Sequence, residues 1–205
     1  MQVELVEQYR RMHRERIYGA TSVKKAPYIL PYVQLLKART VIDYGCGQSR
    51  LAELISERCG SKVTRYDPAI PACDECPKGP FDLLISIDVL EHVPEDTIDG
   101  VLAATAELSD KAIIIIDTRA SSTTLPDGRN AHLTLRPAQW WRDRLAHHYR
   151  DVRPIWVQRR PASFITWRMS STQAMAALAL AATYKVQALN SMIAKDGLRR
   201  TLGKI

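Results

Sequence analysis

The stretch Val41-Ile-Asp-Tyr-Gly-Cys-Gly-Gln-Ser-Arg50 runs directly into Leu51-Ala-Glu-Leu-Ile-Ser-Glu-Arg58. It opens on an apolar pair and an acid, which read as the end of a buried strand. It closes on a segment of helical character. Between them stand Gly45 and Gly47, one residue apart. Glycine permits a tight turn and lets backbone approach a ligand with no Cβ in the way. The turn opens onto a helix N-terminus, whose free N–H groups attract negative groups. Nucleotide-derived cofactors use this strand–turn–helix arrangement. A dinucleotide fingerprint wants a small third residue where Arg50 stands, and a large cation there obstructs close packing of helix on strand. No Gly-Lys-Ser/Thr follows, so a P-loop is excluded.

The segments that follow narrow the choice. Lys62-Val-Thr-Arg-Tyr66 reads as a second strand ending in Asp67-Pro68. Asp67 lies 20 residues beyond Gly47, the reach of one helix and one strand. A carboxylate there can accept two hydrogen bonds from ribose hydroxyls. Asp43-x-Gly45-x-Gly47 resembles the first motif of the class I S-adenosylmethionine-dependent methyltransferases, with Ser49 where that family usually has a third glycine. Phe81-Asp-Leu-Leu-Ile-Ser-Ile-Asp-Val-Leu-Glu-His-Val-Pro94 resembles the family's fourth-strand motif, and Ala112-Ile-Ile-Ile-Ile-Asp117 fits its fifth strand.

The resemblance covers roughly residues 38–118. It implies an α/β fold with a doubly wound Rossmann-like sheet, S-adenosyl-L-methionine as cofactor, and methyl transfer as activity. On the same resemblance Asp43, Gly45, Cys46, Gly47, Asp67, Pro68 and Asp88 are expected at the cofactor, Asp88 close to its amino group. Only 13 residues separate Asp67 from Phe81, where the family usually fits a strand and helices. The third strand is therefore expected to be shortened or missing. Cys73-Asp-Glu-Cys76 lies in this interval with no second ligand pair and no helix start, so no metal site is expected.

At 205 residues the chain is expected to form one methyltransferase domain. Residues 1–38 read as N-terminal helices serving as a lid, 39–168 as the core, and 169–205 as an added C-terminal helix. Tyr18, Tyr28 and Tyr32 are candidates for the lid's lining. Hydrophobic residues are 46% and charged residues 25%, ordinary for a soluble globular protein. The N-terminus has no secretory apolar region, and no apolar run reaches membrane-spanning length. With four cysteines and no secretory signal, a cytoplasmic enzyme is expected. Net charge is +7 but segregated: residues 40–118 hold six Lys/Arg against fifteen Asp/Glu, with basic segments on both sides. Such segregation attracts polyanions or phosphorylated substrates. Arg10, Arg11, Arg14, Arg159 and Arg160 would meet nucleic-acid phosphates; Arg129 or Arg136 would meet a small phosphorylated acceptor.

The acceptor side is read from Leu125-Pro-Asp-Gly-Arg-Asn-Ala-His-Leu-Thr-Leu-Arg-Pro-Ala-Gln-Trp-Trp141, which follows the fifth-strand segment. Asn130, His132 and Thr134 alternate, so extended backbone would point all three the same way. His132 is the candidate base or orienting residue. Arg129, Asn130 and Trp140 are candidate substrate contacts. His92 is a second histidine expected near the cofactor. The partner is a polar anionic small molecule or nucleic acid, and the last helix offers a homodimer surface. Three readings stay open: methylation of an oxygen or nitrogen on a phosphate-bearing small molecule or modified nucleobase, methylation of nucleic acid, and a non-catalytic cofactor-binding regulator.

Overall fold

The computed structural model describes residues 3–16 and 18–196, so residues 197–205 of the expected C-terminal segment lie outside the described residues. Six strands among these form one sheet: β1 (Thr40–Tyr44), β2 (Lys62–Tyr66), β3 (Leu83–Ile87), β4 (Ala112–Ile116), β5 (Arg153–Pro154) and β6 (Ala162–Ile165). Their order is β2-β1-β3-β4-β6-β5. The first four run parallel, and β6 is antiparallel to both β4 and β5. The helices are α1 (Val3–Glu15), α2 (Ala20–Leu36), α3 (Leu51–Cys59), α4 (Ile98–Leu108), α5 (Ala138–His148) and α6 (Ser171–Asp196).

The strands are apolar on both sides because both faces of the sheet are covered. Along β4 the side chains alternate between two cores. Ala112, Ile114 and Ile116 join Ile42 and Leu84 against Ile98, Leu102, Trp141 and Leu145 from α4 and α5. Ile113 and Ile115 join Val41, Leu83 and Ile85 against Ile29, Val33, Leu51 and Ile55 from α2 and α3. Each such fully buried isoleucine or leucine contributes roughly 1.5–3 kcal/mol. The sheet is thus doubly wound.

No strand lies between β2 and β3, so β2 is an edge. The intervening residues carry Pro68, Pro71, Pro77 and Pro80, each lacking the N–H that a ladder needs. The closing hairpin is short: β5 has two residues, and Pro154 has no N–H to donate. Helix α2 runs over 17 residues. It passes through Pro27 and Pro31, its burial of Ala26, Tyr28, Ile29, Leu30 and Val33 outweighing the lost hydrogen bonds.

Helix α1 belongs to neither layer. Its Leu5 and Met12 pack against Leu125 and Ala131 in the loop after β4. Tyr9 Oη donates to the carbonyls of Ala131 (2.8 Å) and His92 (3.2 Å), and an Arg10 guanidinium nitrogen donates to that of Pro68 (3.1 Å). The helix therefore crosses the carboxyl ends of the parallel strands. No described helix is long and apolar enough to cross a membrane.

Candidate active site

The turn after β1 needs its glycines for two separate reasons. Gly45 and Gly47 have φ of +75° and +50°, the left-handed region that L side chains rarely adopt. A Cβ on Gly45 would also stand 2.4 Å from Val89 Cγ2. The turn is stitched to the end of β2. Gly45 N–H donates to the Tyr66 carbonyl (2.7 Å), and Gly47 N–H donates to Asp67 Oδ2 (2.8 Å). Asp67 Oδ1 accepts the Ala69 N–H (2.9 Å). Asp67 therefore fixes the turn, and each of its oxygens keeps a second lone pair. Ser49, in the third-glycine position, turns its Oγ to the Leu51 N–H (3.0 Å) at the start of α3.

These groups wall a cavity of about 560 Å³. It lies where β2 and β3 depart to opposite sides of β1, the switch point at which open α/β sheets bind ligands. The volume suits a nucleoside-sized ligand beside a small acceptor. Of the expected residues, Gly45, Gly47, Asp67, Pro68, Asp88, His92 and His132 line it, as does Tyr18 of the expected lid.

Others do not reach it. Asp43 is sealed behind the turn, 3% exposed, with Oδ2 unpartnered. Burial pushes its carboxyl up to about 7, against the opposing pull of Arg65. Cys46 is buried with its Sγ 3.7 Å from Cys73 Sγ, facing the loop after β2. Arg129 lies outside because Asp127 holds it in two hydrogen bonds on the exposed loop. Asn130 spends its side chain on Ser121 and the His132 N–H, closing the loop on itself. Trp140 packs on α5 under the guanidinium of Arg144 and against Trp141. The alternating stripe does not form either. Thr134 Oγ1 is buried and donates to the Val93 carbonyl, so only His132 of the three faces the cavity. The backbone there is not a strand: Leu133 and Thr134 N–H both fold onto the Glu91 carbonyl. Tyr28 and Tyr32 sit in or against the core.

The cavity's polar wall includes Glu91, Asp117 and Arg119, which sequence reasoning passed over, beside His92 and Arg160, which it named. Arg160, 8% exposed, bridges Asp88 (2.7 Å) and Asp117 (3.0 Å). Arg119 clasps Asp117 through both carboxylate oxygens (2.9 Å each) and stays exposed. Burial alone would push the Asp117 carboxyl up, but Arg119 and Arg160 hold it below the usual range. Arg160 is thus an internal counter-ion and not a surface phosphate contact. Glu91 is wholly buried; its Oε1 accepts the Asp117 N–H (3.0 Å) and its Oε2 has no partner. Burial raises its carboxyl well above the usual range. Burial also lowers His92 to about 4, leaving a neutral ring. His92 and His132 meet edge to face with centroids 4.9 Å apart. The adjacent acid and histidine of Val-Leu-Glu-His were the available signal; their juxtaposition with His132 was not.

A cavity lined by the Gly45–Gly47 turn, the Asp67 carboxylate and His132 fits S-adenosylmethionine. The family of methyltransferase domains matches residues 12–174 of the chain. The chain resembles the solved structure of an O-methyltransferase family protein from Burkholderia thailandensis, with TM-score 0.51 and 18% identity over 72% of this chain. It spans 56% of that protein's length. A DhpI–SAH complex gives TM-score 0.50 and 15% identity, with 80% of this chain and 96% of the other aligned. At such identities the two structures speak to the fold alone. No curated protein matches the chain. Carried by the domain match and the glycine turn, the assignment is plain: the chain belongs to the class I S-adenosylmethionine-dependent methyltransferases.

Proposed function

We propose that the protein transfers a methyl group from S-adenosylmethionine to an oxygen or nitrogen of a polar, anionic small molecule. The carrying observation is that one cavity joins the Gly45–Gly47 turn and Asp67 to His132 and Arg119. Bound there, the cofactor supplies an electrophilic methyl group. The chain's task is to hold the acceptor in line with it and to exclude water. Asp67 takes the ribose hydroxyls, and the Asp88–Arg160 pair borders the cofactor's amino end. His132 donates its Nδ1–H to the Arg119 carbonyl (2.6 Å), which leaves Nε2 to meet the acceptor. Arg119, the exposed cation on the wall, replaces Arg129 and Arg136 as the anion contact, since those two do not line the cavity. Helix α1 is the lid, held by Tyr9 and Arg10. The four cysteines, all free thiols, support a cytoplasmic setting.

Calorimetry with S-adenosylhomocysteine tests the reading. Asp67→Ala is expected to weaken binding by roughly 1.5–3 kcal/mol, the worth of hydrogen bonds to a charged group. It is also expected to lower stability, because the Gly47 and Ala69 N–H groups lose their acceptor. Unchanged affinity in a folded variant would sink the ribose assignment. The nucleic-acid alternative is separated by salt: a polymer making several phosphate contacts gives a log–log slope near −0.7 to −0.9 per contact. Anisotropy with labelled oligonucleotides between about 50 and 200 mM salt is expected to show no such binding. A steep slope would restore the polymer reading.

A further inference from the structure

We propose that Glu91, His92 and His132 bind one divalent first-row transition-metal ion at the acceptor end of the cavity; its use in catalysis rests on the methyl-transfer reading above. A carboxylate oxygen of Glu91 and one ring nitrogen of each histidine lie within 4.8 Å of one another. The hydrogen bonding explains why these atoms can take a cation. His92 Nδ1 faces the Ala131 carbonyl at 2.8 Å, and His132 Nδ1 faces the Arg119 carbonyl at 2.6 Å. A carbonyl only accepts, so each Nδ1 carries the hydrogen and each Nε2 keeps an unshared pair. Glu91 Oε1 is taken by the Asp117 N–H, while Oε2 is buried and unpartnered. A proton on Oε2 can occupy this group when no ion is bound; an ion that displaces it finds one carboxylate oxygen and two imidazole nitrogens as ligands, with no fixed cation of the chain among them.

The surroundings have the form of a ligand set. Metal-binding histidines commonly donate the other ring N–H to a carbonyl, which fixes tautomer and ring direction. The Glu91 carbonyl also anchors the Leu133 and Thr134 N–H groups, tying the His132 loop to the Glu91-His92 turn. Ligands at about 2.0–2.2 Å from an ion lie roughly 3–4 Å apart, so binding asks the three side chains to close by about an ångström. Two imidazoles and one carboxylate suit manganese, iron, cobalt or zinc better than calcium, which prefers oxygen alone.

Glu91, His92 and His132 all line the cavity, so the ion's remaining positions open toward the acceptor. That makes the acceptor atom a hydroxyl oxygen. Its O–H bond, weakened by the ion, breaks with loss of the proton to solvent. The oxygen's electron pair then forms the bond to the methyl carbon as the C–S bond breaks. A methyl ether, S-adenosylhomocysteine and one proton result. His132 then holds the acceptor through the ion and does not itself take the proton.

The test uses the 205-residue chain, stripped with chelator and titrated with Co²⁺ alone, followed by visible absorption, alongside calorimetry with S-adenosylhomocysteine. The expected result is one Co²⁺ per chain with visible bands, displaced by Zn²⁺. His132→Ala and His92→Ala should each weaken it at least about tenfold. His147→Ala, an exposed histidine on α5, should leave it unchanged. A chain that binds S-adenosylhomocysteine yet takes up no Co²⁺ overturns the metal site. So does Co²⁺ uptake that His132→Ala leaves at full strength; this variant is half-exposed and spares the core if His92→Ala fails to fold. Co²⁺ held at these residues by a chain that does not bind S-adenosylhomocysteine supports the site and overturns the methyl-transfer reading instead.

Discussion

Asp43 carries a charge that its surroundings resist. In the fold its carboxyl rises to about 7, mainly through burial, from an ordinary value of 3.8. Between those values the native chain holds a proton that the unfolded chain has released. Stability therefore falls as pH rises through that window, by at most about 1.4 kcal/mol per unit. Asn has the same shape and no charge. Relative to the parent chain, Asp43→Asn is expected to gain stability as pH goes from about 5 to 8, measured by urea midpoints. Glu91 contributes the same sign to both proteins and cancels in the difference. An Asn/Asp difference that is the same at both pH values would show that the parent's Asp43 is not titrating there. Asp43 also shows what a motif conceals: its spacing to Gly45 is visible in sequence, but its place behind the turn comes from β2 and β3 closing on either side of β1.

Among the elements, the β1–α3 turn has the sharpest requirement. Gly45→Ala meets two penalties: a left-handed φ, worth about 1–2 kcal/mol, and a Cβ 2.4 Å from Val89. The single variant is expected to lose more than about tenfold in affinity for S-adenosylhomocysteine and to unfold at lower temperature. Adding Val89→Ala removes the clash and leaves the φ cost, so the pair should regain part of the lost stability in thermal melts, beyond what Val89→Ala alone predicts. A double variant that regains nothing would assign the whole effect to φ. The turn and its partner strand were legible because glycine spacing and a 20-residue reach are local properties. The loop after β4 was not. Asn130 and Thr134 are polar and alternate, but their hydrogen-bond partners, Ser121 and the Val93 carbonyl, are fixed only when the loop folds back over the 3₁₀ turn at Leu90–His92.

Across the molecule, charge that is segregated along the chain is interleaved in space. Arg10 pairs with Asp74, Arg136 with Glu95, Arg144 with Asp99, and Arg160 with Asp88, each joining a basic flank to the acidic middle. Arg11 and Arg14 pair with Glu15 and Glu7 on their own helix. Exposed pairs of this kind add little stability, but they blunt the field a polyanion would feel. One unpartnered surface stands out on α6, where Met175, Leu178 and Val186 are 69%, 62% and 57% exposed along one side. Ala177 is buried and Tyr184 packs against the core on the other. A homodimer through the exposed side predicts twice the chain mass by light scattering, falling to the monomer in Leu178→Asp. A parent chain that already runs as a monomer would sink that reading.

By itself the sequence determined the parallel sheet, its absent third strand, the cofactor turn and the family. The turn rests on short-range spacing, which a linear chain displays; the sheet, the missing strand and the family rest on the resemblance of consecutive motifs to those of known methyltransferases. Tertiary structure alone decided which polar groups share the cavity. Arg119, Arg160 and Asp117 meet Asp88 there, and Glu91 and His92 meet His132, because β3, β4 and the hairpin end side by side. Arg129, Asn130 and Trp140 were excluded for the converse reason: each found a nearer partner first. Hydrogen-bond and charge partners are chosen by distance in space, and spacing along the chain carries little of that.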